Sequence, residues 1–226
     1  MKALIWDLDG TLIHFKINFI KARRTAMEIL KKNEIPKEEL SIKKSILDNV
    51  RHAIKIFEEN GLDPQKINTI VEEIDKEVSN IEHDAALKAS RIDGIEKVLE
   101  FARDQNLEQA IYTYNTTKNA ITSLKTVDLL EYFSVIAGRD SVENPKPHKE
   151  HLLYICNKLD VSPEKVIVIG DTYRDIEGAL KLGAKSVAIK TRTSGFSNKE
   201  IFEQADVIIS QEAIPGELIV ALNKLL

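Results

Sequence analysis

Short apolar segments alternate with amphipathic helical segments over residues 91–226, and this alternation restricts the possible folds more than any other feature. Strands are predicted at residues 2–7, 108–113, 134–137, 165–170, 185–190 and 206–209. Helices are predicted at residues 95–105, 116–129, 147–159, 174–182 and 213–225. Strands that alternate with helices form a parallel sheet that is covered on both faces. The predicted fold class is therefore α/β, with a Rossmann-like parallel sheet between two layers of helices.

Residues 15–90 have a different pattern, which is helical throughout. Apolar residues recur there every three or four positions, as at Leu47, Val50, Ile54 and Phe57, and no strand is predicted between 16 and 90. We therefore predict an all-helical cap domain at 15–90, inserted after the first strand. The core domain would then comprise residues 1–14 and 91–226.

Composition narrows the class of protein. The chain has 226 residues and a net charge of −4, so no excess of basic residues predicts nucleic-acid binding. No apolar run has the length of a membrane span, and no secretory signal precedes the first strand. The single cysteine, Cys156, excludes an internal disulfide and is expected in the core. We expect a cytoplasmic monomer or homodimer without nucleic-acid or membrane partners.

Two carboxylates stand directly after the first predicted strand. Asp7 and Asp9 are separated by one residue and are followed by Gly10 and Thr11. Strand ends in an open α/β sheet line the ligand crevice. Carboxylates at such close spacing repel each other unless a cation lies between them. The segment therefore predicts a metal site together with a carboxylate that is free for chemistry.

Other polar residues follow later predicted strands or open a helix. Thr113 ends the strand 108–113, Lys146 lies between two prolines, and Asp171 and Asp175 follow the strand 165–170. Each has a simpler explanation: Thr113 as an ordinary strand residue, Lys146 as a surface side chain, and either Asp171 or Thr172 as the cap of the following helix.

Together these segments resemble, in order and spacing, the four motifs of the haloacid dehalogenase-like hydrolase superfamily, in its phosphatase branch. The first motif is matched by Asp7, Asp9, Gly10 and Thr11, and the second by Thr113. The third is matched by Lys146, and the fourth by Gly170, Asp171 and Asp175. The resemblance extends to phosphoglycolate phosphatase-like proteins that carry a helical cap, and it covers nearly the whole predicted core.

The resemblance implies a Mg²⁺-dependent phosphatase that hydrolyses a small phosphorylated metabolite through an aspartyl-phosphate. Asp7 would be the nucleophile and Asp9 the general acid and base. Mg²⁺ would be bound by Asp7, the backbone carbonyl of Asp9 and Asp171. Thr113 and Lys146 would hold the transferring phosphoryl group. The remaining residues have lesser implied roles: Gly10, Thr11 and Asn115 in substrate binding and Asp175 in orienting the ligands.

Two alternatives remain open from the sequence. One is a phosphomutase of the same superfamily, and the other is a catalytically silent binding protein on this fold. An Asp at position 9 argues against carbon–halogen chemistry, because relatives with that activity lack it. The sequence assigns no role to three polar residues: His14, Lys16 and Arg192. His148 and His151 are expected at the surface, and at least one of Tyr112 and Tyr114 in the core.

Overall fold

A computed structural model of the protein describes residues 1–14, 16–191 and 198–226. The chain divides into two compact units, one formed by Met1–Phe15 with Ala86–Leu226 and the other by Lys16–Ala85. Arg192, to which the sequence assigns no role, lies outside the described residues. None of the described helices combines the length and apolar character that crossing a membrane requires.

Six strands of the first unit form one parallel sheet. The strands of the chain are β1 (Ala3–Trp6), β2 (Ile13–His14), β3 (Ser90–Arg91), β4 (Glu108–Tyr112), β5 (Val135–Ala137), β6 (Val166–Gly170), β7 (Lys185–Lys190) and β8 (Val207–Ser210). The sheet order is β5-β4-β1-β6-β7-β8, and every neighbouring pair is parallel. The predicted α/β class with a parallel sheet is confirmed.

Helices cover both faces of this sheet. The helices of the chain are α1 (Phe19–Lys32), α2 (Ile46–Glu59), α3 (Pro64–Ala86), α4 (Ile95–Asp104), α5 (Thr117–Thr126), α6 (Lys149–Leu159), α7 (Tyr173–Leu180), α8 (Lys199–Phe202) and α9 (Gly216–Leu225). Side chains of β1 alternate between the two faces, as expected for a strand. Leu4 and Trp6 pack in one hydrophobic cluster with residues of α4, α5 and α9. Ala3 and Ile5 pack in another with residues of α6 and α7.

The core accounts for several residues near the strand ends. Trp6 is fully buried, and its indole N–H donates to Oε1 of Gln109 at 3.1 Å. Tyr112 is also fully buried, which confirms that at least one of the two tyrosines lies in the core. Cys156 is buried as expected, and burial raises the pKa of its thiol to about 11.

Two sequence predictions about this unit are wrong. Ser90 and Arg91 form β3, which pairs antiparallel with β2, although no strand was predicted between 16 and 90. Two residues are too few to produce a recognisable period. The helix predicted at 116–129 ends at Thr126, because Asp128 adopts a left-handed φ of 53° that a helix cannot continue through.

The second unit has its own apolar core. Helices α1, α2 and α3 contribute buried residues to one cluster, among them Ala26, Leu30, Ala53 and Ile74. Its first two helices are capped by side chains: Asn18 accepts from the backbone N–H of Lys21, and Ser45 from that of Asp48.

Candidate active site

The polar residues of interest lie where the strand order of the sheet reverses. From β1 the chain moves through β4 to β5 on one side, then returns to β6 on the other side of β1. Ligands of open α/β sheets bind at the carboxyl ends of the strands at such a switch point. Asp7 directly follows β1 and Asp171 directly follows β6. Because Trp6 pairs with Ile169, the two acids stand at nearly the same level of the sheet.

Lys146 lies at the centre of the site. Its ammonium donates to Oδ1 of Asp7, to Oδ1 of Asp175 at 2.7 Å and to the carbonyl of Tyr112 at 2.9 Å. All three charged side chains are buried. The three acceptors match the three N–H donors of an ammonium group, so the position of Nζ is fully determined. Burial lowers the pKa of Lys146, but Asp175 and Asp7 outweigh it and raise that pKa above its ordinary value.

His151 holds the backbone at Lys146, and the prediction that it is a surface residue is wrong. Its Nδ1 accepts from the backbone N–H of Lys146 at 3.2 Å, so Nε2 carries the proton that is donated to the carbonyl of Ala137, also at 3.2 Å. The imidazole is fully buried and packs edge-on against Tyr112, with 4.8 Å between ring centroids. Burial and the neighbouring Lys146 lower the pKa of His151 to about 4, so the ring is neutral at neutral pH.

Asp175 connects the lysine to helix α7. Its Oδ2 accepts from the backbone N–H of Thr172 at 3.0 Å and from the hydroxyl of Thr172 at 2.6 Å. Thr172 occupies the N-cap position of α7, which confirms one of the two caps predicted from the sequence and leaves Asp171 without a capping role. Both carboxylate oxygens of Asp175 accept hydrogen bonds, and the side chain thereby orients Lys146.

Negative charge is in excess at this sheet edge. Burial raises the pKa of Asp7 to about 6, against the opposing effect of Lys146. Burial and the carboxylates of Asp7 and Asp175 raise the pKa of Asp171 to about 9. Asp9 also raises the pKa of Asp171, so four carboxylates act on one another here, and Lys146 is the cation whose charge opposes them. Such crowding raises carboxyl pKa values unless a cation supplies the missing positive charge.

The donor set fits a hard divalent cation. One carboxylate oxygen from each of Asp7, Asp171 and Asp175 lies within 4.8 Å of the others. Oδ1 of Asp171 is buried and has no hydrogen-bond partner in the part of the chain that is described. Buried polar atoms normally have partners, so this oxygen is available as a ligand. Carboxylate and carbonyl oxygens are the ligands that Mg²⁺ prefers.

The remaining residues predicted for the site lie around Asp7 and Asp9. The hydroxyl of Thr11 donates to Oδ2 of Asp7 at 3.5 Å. The side-chain amide of Asn115 donates to Oδ2 of Asp9 at 3.4 Å. Thr113 is buried, and its hydroxyl oxygen accepts from the backbone N–H of Asn115 at 3.0 Å. The structure therefore brings the residues from all four motifs to one edge of the sheet.

Two contacts in this region were missed by the sequence analysis. Gln211, just after β8, donates from its amide to the carbonyl of Gly10 at 2.7 Å. No local pattern marks Gln211, because its partner is two hundred residues away in the chain. His151 could have been found, since it shares the buried face of α6 with Leu152, Ile155 and Cys156. His14, Lys16 and His148 are exposed.

Comparisons with known proteins agree with this arrangement. The sequence profile described as haloacid dehalogenase-like hydrolase matches residues 4–189. An N-acetylmuramic acid 6-phosphate phosphatase from Pseudomonas aeruginosa is 26% identical over 100% of this chain and 96% of its own length. A phosphoglycolate phosphatase from Salmonella typhi is 35% identical, but over 45% of this chain and 40% of its own length. The chain thus matches less than half of that relative.

Solved structures share the fold. A β-phosphoglucomutase from Clostridium difficile superposes with a TM-score of 0.64 at 20% identity, covering 98% of this chain and 96% of the other. At that level of identity the likeness concerns the fold alone, and it agrees with a parallel sheet that carries an all-helical second unit.

Proposed function

Because the chain belongs to the haloacid dehalogenase-like hydrolase family, we propose that it is a Mg²⁺-dependent phosphatase that acts on a small phosphorylated metabolite. The proposal depends most on one observation. Asp7 is a buried carboxylate that contacts Lys146 and stands beside Asp171, whose Oδ1 has no partner among the described residues. A nucleophile, a fixed positive charge and a metal-binding oxygen are thereby combined at the switch point of the sheet.

In the proposed first step, a carboxylate oxygen of Asp7 attacks phosphorus, and the bond from phosphorus to the leaving oxygen breaks. Asp9 gives a proton to that oxygen, so the substrate departs as an alcohol. The ammonium of Lys146 remains in place and offsets the negative charge of Asp7 and of the phosphoryl oxygens. The products of this step are the alcohol and an acyl phosphate on Asp7.

In the second step, water attacks the same phosphorus and gives its proton to the carboxylate of Asp9. The bond between phosphorus and the Asp7 oxygen breaks, inorganic phosphate leaves, and both carboxylates return to their initial states. The hydroxyl of Thr113 can donate to a phosphoryl oxygen, because in its only hydrogen bond with a described residue it is the acceptor. When bound, Mg²⁺ would be held by Asp7, the Asp9 backbone carbonyl and Asp171, and would neutralise phosphoryl charge.

The test is release of free phosphate by the purified protein with Mg²⁺, from p-nitrophenyl phosphate and a panel of phosphorylated metabolites. Asp7→Asn should abolish release while the protein stays folded, because the amide preserves the shape of the side chain but is a poor nucleophile. Borohydride treatment of acid-quenched wild-type protein should convert the acyl phosphate at position 7 to homoserine, detectable by mass spectrometry. Undiminished turnover by Asp7→Asn would exclude Asp7 as the nucleophile.

A phosphomutase would form the same ester on Asp7 but return the phosphoryl group to a sugar. The full-length relative is named a phosphatase, whereas the likeness to β-phosphoglucomutase concerns the fold alone, so hydrolysis is preferred. Measuring free phosphate against isomerised sugar phosphate separates the two activities. A silent binding protein is disfavoured because Asp7, Asp9, Lys146 and Asp171 are all present.

A further inference from the structure

The guanidinium of Arg174 lies over two aromatic rings, and both it and one of the rings belong to segments that carry residues of the candidate active site. Its guanidinium carbon lies 5.4 Å from the ring centroid of Tyr114 and 5.4 Å from that of Tyr173. Tyr114 stands between Thr113 and Asn115, and Arg174 directly precedes Asp175. The guanidinium therefore bridges the segment after β4 and the first turn of α7, both of which carry residues of the site.

Among the residues that the structure describes, no acid forms an ion pair with this guanidinium. Arg174 is half-buried and forms no salt bridge or side-chain hydrogen bond with any residue that the structure describes. Lys146, by contrast, is already neutralised by Asp7 and Asp175. A cation in the first turn of a helix also opposes the helix dipole, so Arg174 gains no stabilisation from its position.

Contact with the faces of tyrosine rings uses none of the N–H donors of a guanidinium. Those donors form a planar fork that fits a carboxylate or a phosphate with two parallel hydrogen bonds. The rings also restrict the side chain, so less conformational freedom is lost when an anion binds. The arrangement is therefore suited to receiving an anion from solution.

We propose that Arg174, which lies over the rings of Tyr114 and Tyr173, binds a second anionic group of the substrate. This inference rests on the proposed function and narrows it: the substrate is a small phosphate monoester that carries a carboxylate or a second phosphate. Arg174 is in this view a residue for specificity and takes no part in the chemical steps.

Binding of non-hydrolysable ligands tests the inference without turnover. The ligands are 3-phosphonopropionate, propane-1,3-diyl bisphosphonate and, as the matched ligand without a second anion, propylphosphonate. Titration calorimetry with Mg²⁺ present should show that the wild-type protein binds one of the first two roughly ten- to a hundredfold more tightly than propylphosphonate. Whichever of the two is preferred identifies the second anion as a carboxylate or a phosphate.

Arg174→Gln should remove that preference while affinity for propylphosphonate changes by less than about twofold, since the Gln side chain keeps polarity but loses the charge. Arg174→Lys should retain part of the preference, because it keeps the charge but lacks the planar fork. The double substitution Tyr114→Leu with Tyr173→Leu should weaken the preference although Arg174 is still present.

The inference is overturned if the wild type binds all three ligands equally, binds none of them, or keeps its preference in Arg174→Gln. Hydrolysis of p-nitrophenyl phosphate, which has no second anion, separates this inference from the proposed function. If the wild type releases no phosphate from any substrate, the proposed function fails, whereas the ligand preference alone decides the role of Arg174.

Discussion

Gly10 and Asp171 approach each other so closely that no side chain fits between them. A Cβ built on Gly10 would lie 2.8 Å from Cγ of Asp171, and Gly10 has a φ of 88°, which favours glycine. Asp171 is itself buried and cannot move away without leaving the site. Glycine at position 10 thus allows the carboxylate after β6 to stand beside the segment after β1.

Gly10→Ala is expected to abolish most activity and to lower the free energy of unfolding by about 1–3 kcal/mol, because it adds both backbone strain and a clash with Asp171. Gly183→Ala is the matched control: its φ is 68°, but nothing lies within 4 Å of the added Cβ. The control should lose some stability and keep full activity. Thermal unfolding and phosphate release measure the two effects, and equal activity losses in both variants would contradict the prediction.

Asp9→Asn is expected to lower kcat by roughly 10²–10⁴-fold while Mg²⁺ affinity stays near that of the wild type. The amide cannot exchange the required proton, but the backbone carbonyl at position 9 is unchanged. The decrease in kcat should be larger with an alkyl phosphate than with p-nitrophenyl phosphate, because nitrophenolate leaves without needing a proton. Steady-state kinetics and the thermal shift caused by Mg²⁺ provide the measurements, and a complete loss of that shift would rule out this role.

Stability without metal should fall as the pH rises. Both Asp7 and Asp171 have folded-state pKa values raised from 3.8, to about 6 and about 9. Between pH 4 and 9 these two carboxyl groups bind more protons in the native state than in the unfolded chain, so they make the free energy of unfolding decrease with increasing pH. His151, whose pKa is lowered from 6.5 to about 4, opposes this trend below about pH 6.5, so the net decrease there is smaller than the two carboxyl groups alone would produce. Mg²⁺ binds the ionised carboxylates, and its stabilising effect should therefore grow over the same range.

Thermal unfolding in EDTA and in Mg²⁺, compared at about pH 5, 7 and 9, measures this effect. Mg²⁺ at about a hundredfold excess over its Kd should add about 2.7 kcal/mol. Asp171→Asn serves as the control: it should flatten the pH dependence in EDTA and remove most of the response to Mg²⁺. An increment from Mg²⁺ that is the same at each pH would show that these carboxyl groups do not titrate as expected.

His151→Leu is expected to reduce kcat by about tenfold or more and to destabilise the protein by about 1–3 kcal/mol, because it leaves the buried N–H of Lys146 without an acceptor. The loosened backbone would displace the ammonium from Asp7 and Asp175. His151→Asn retains an acceptor for that N–H and should restore much of kcat. A leucine variant with normal kcat but reduced stability would limit His151 to a structural role.

Much of the sheet could be predicted because its strands are buried on both faces. Such strands are short, mostly apolar and separated by amphipathic helices, and the predicted bounds of β7 agree with those in the structure. The pair β2 and β3 was missed because two-residue strands have no period. The end of α5 was misplaced because the apolar residues Val127, Leu129 and Leu130 continue a helical pattern past the turn at Asp128.

Residues at the candidate site were predictable where the acid or base follows a strand, as with Asp7 and Asp171. The hydrogen bonds by which His151 and Gln211 hold the backbone at Lys146 and Gly10 were not predicted. The sequence shows no second set of metal ligands near His151, and a surface position is therefore expected for it, although the residue lies on the buried face of α6. Gln211 contacts Gly10 through tertiary structure alone. Arg174 was overlooked because its aromatic neighbours come from two separate segments.

The pairing of β2 with β3 determines how the length of the helical segment between them can vary. Ile13 pairs with Arg91 and His14 with Ser90, so the points where the chain departs from the α/β unit and rejoins it are hydrogen-bonded neighbours. This two-stranded ladder joins the two ends of the segment between them, whatever the length of that segment. We therefore expect the intervening helices to tolerate insertion, deletion or replacement without a change in the strands that carry the acids.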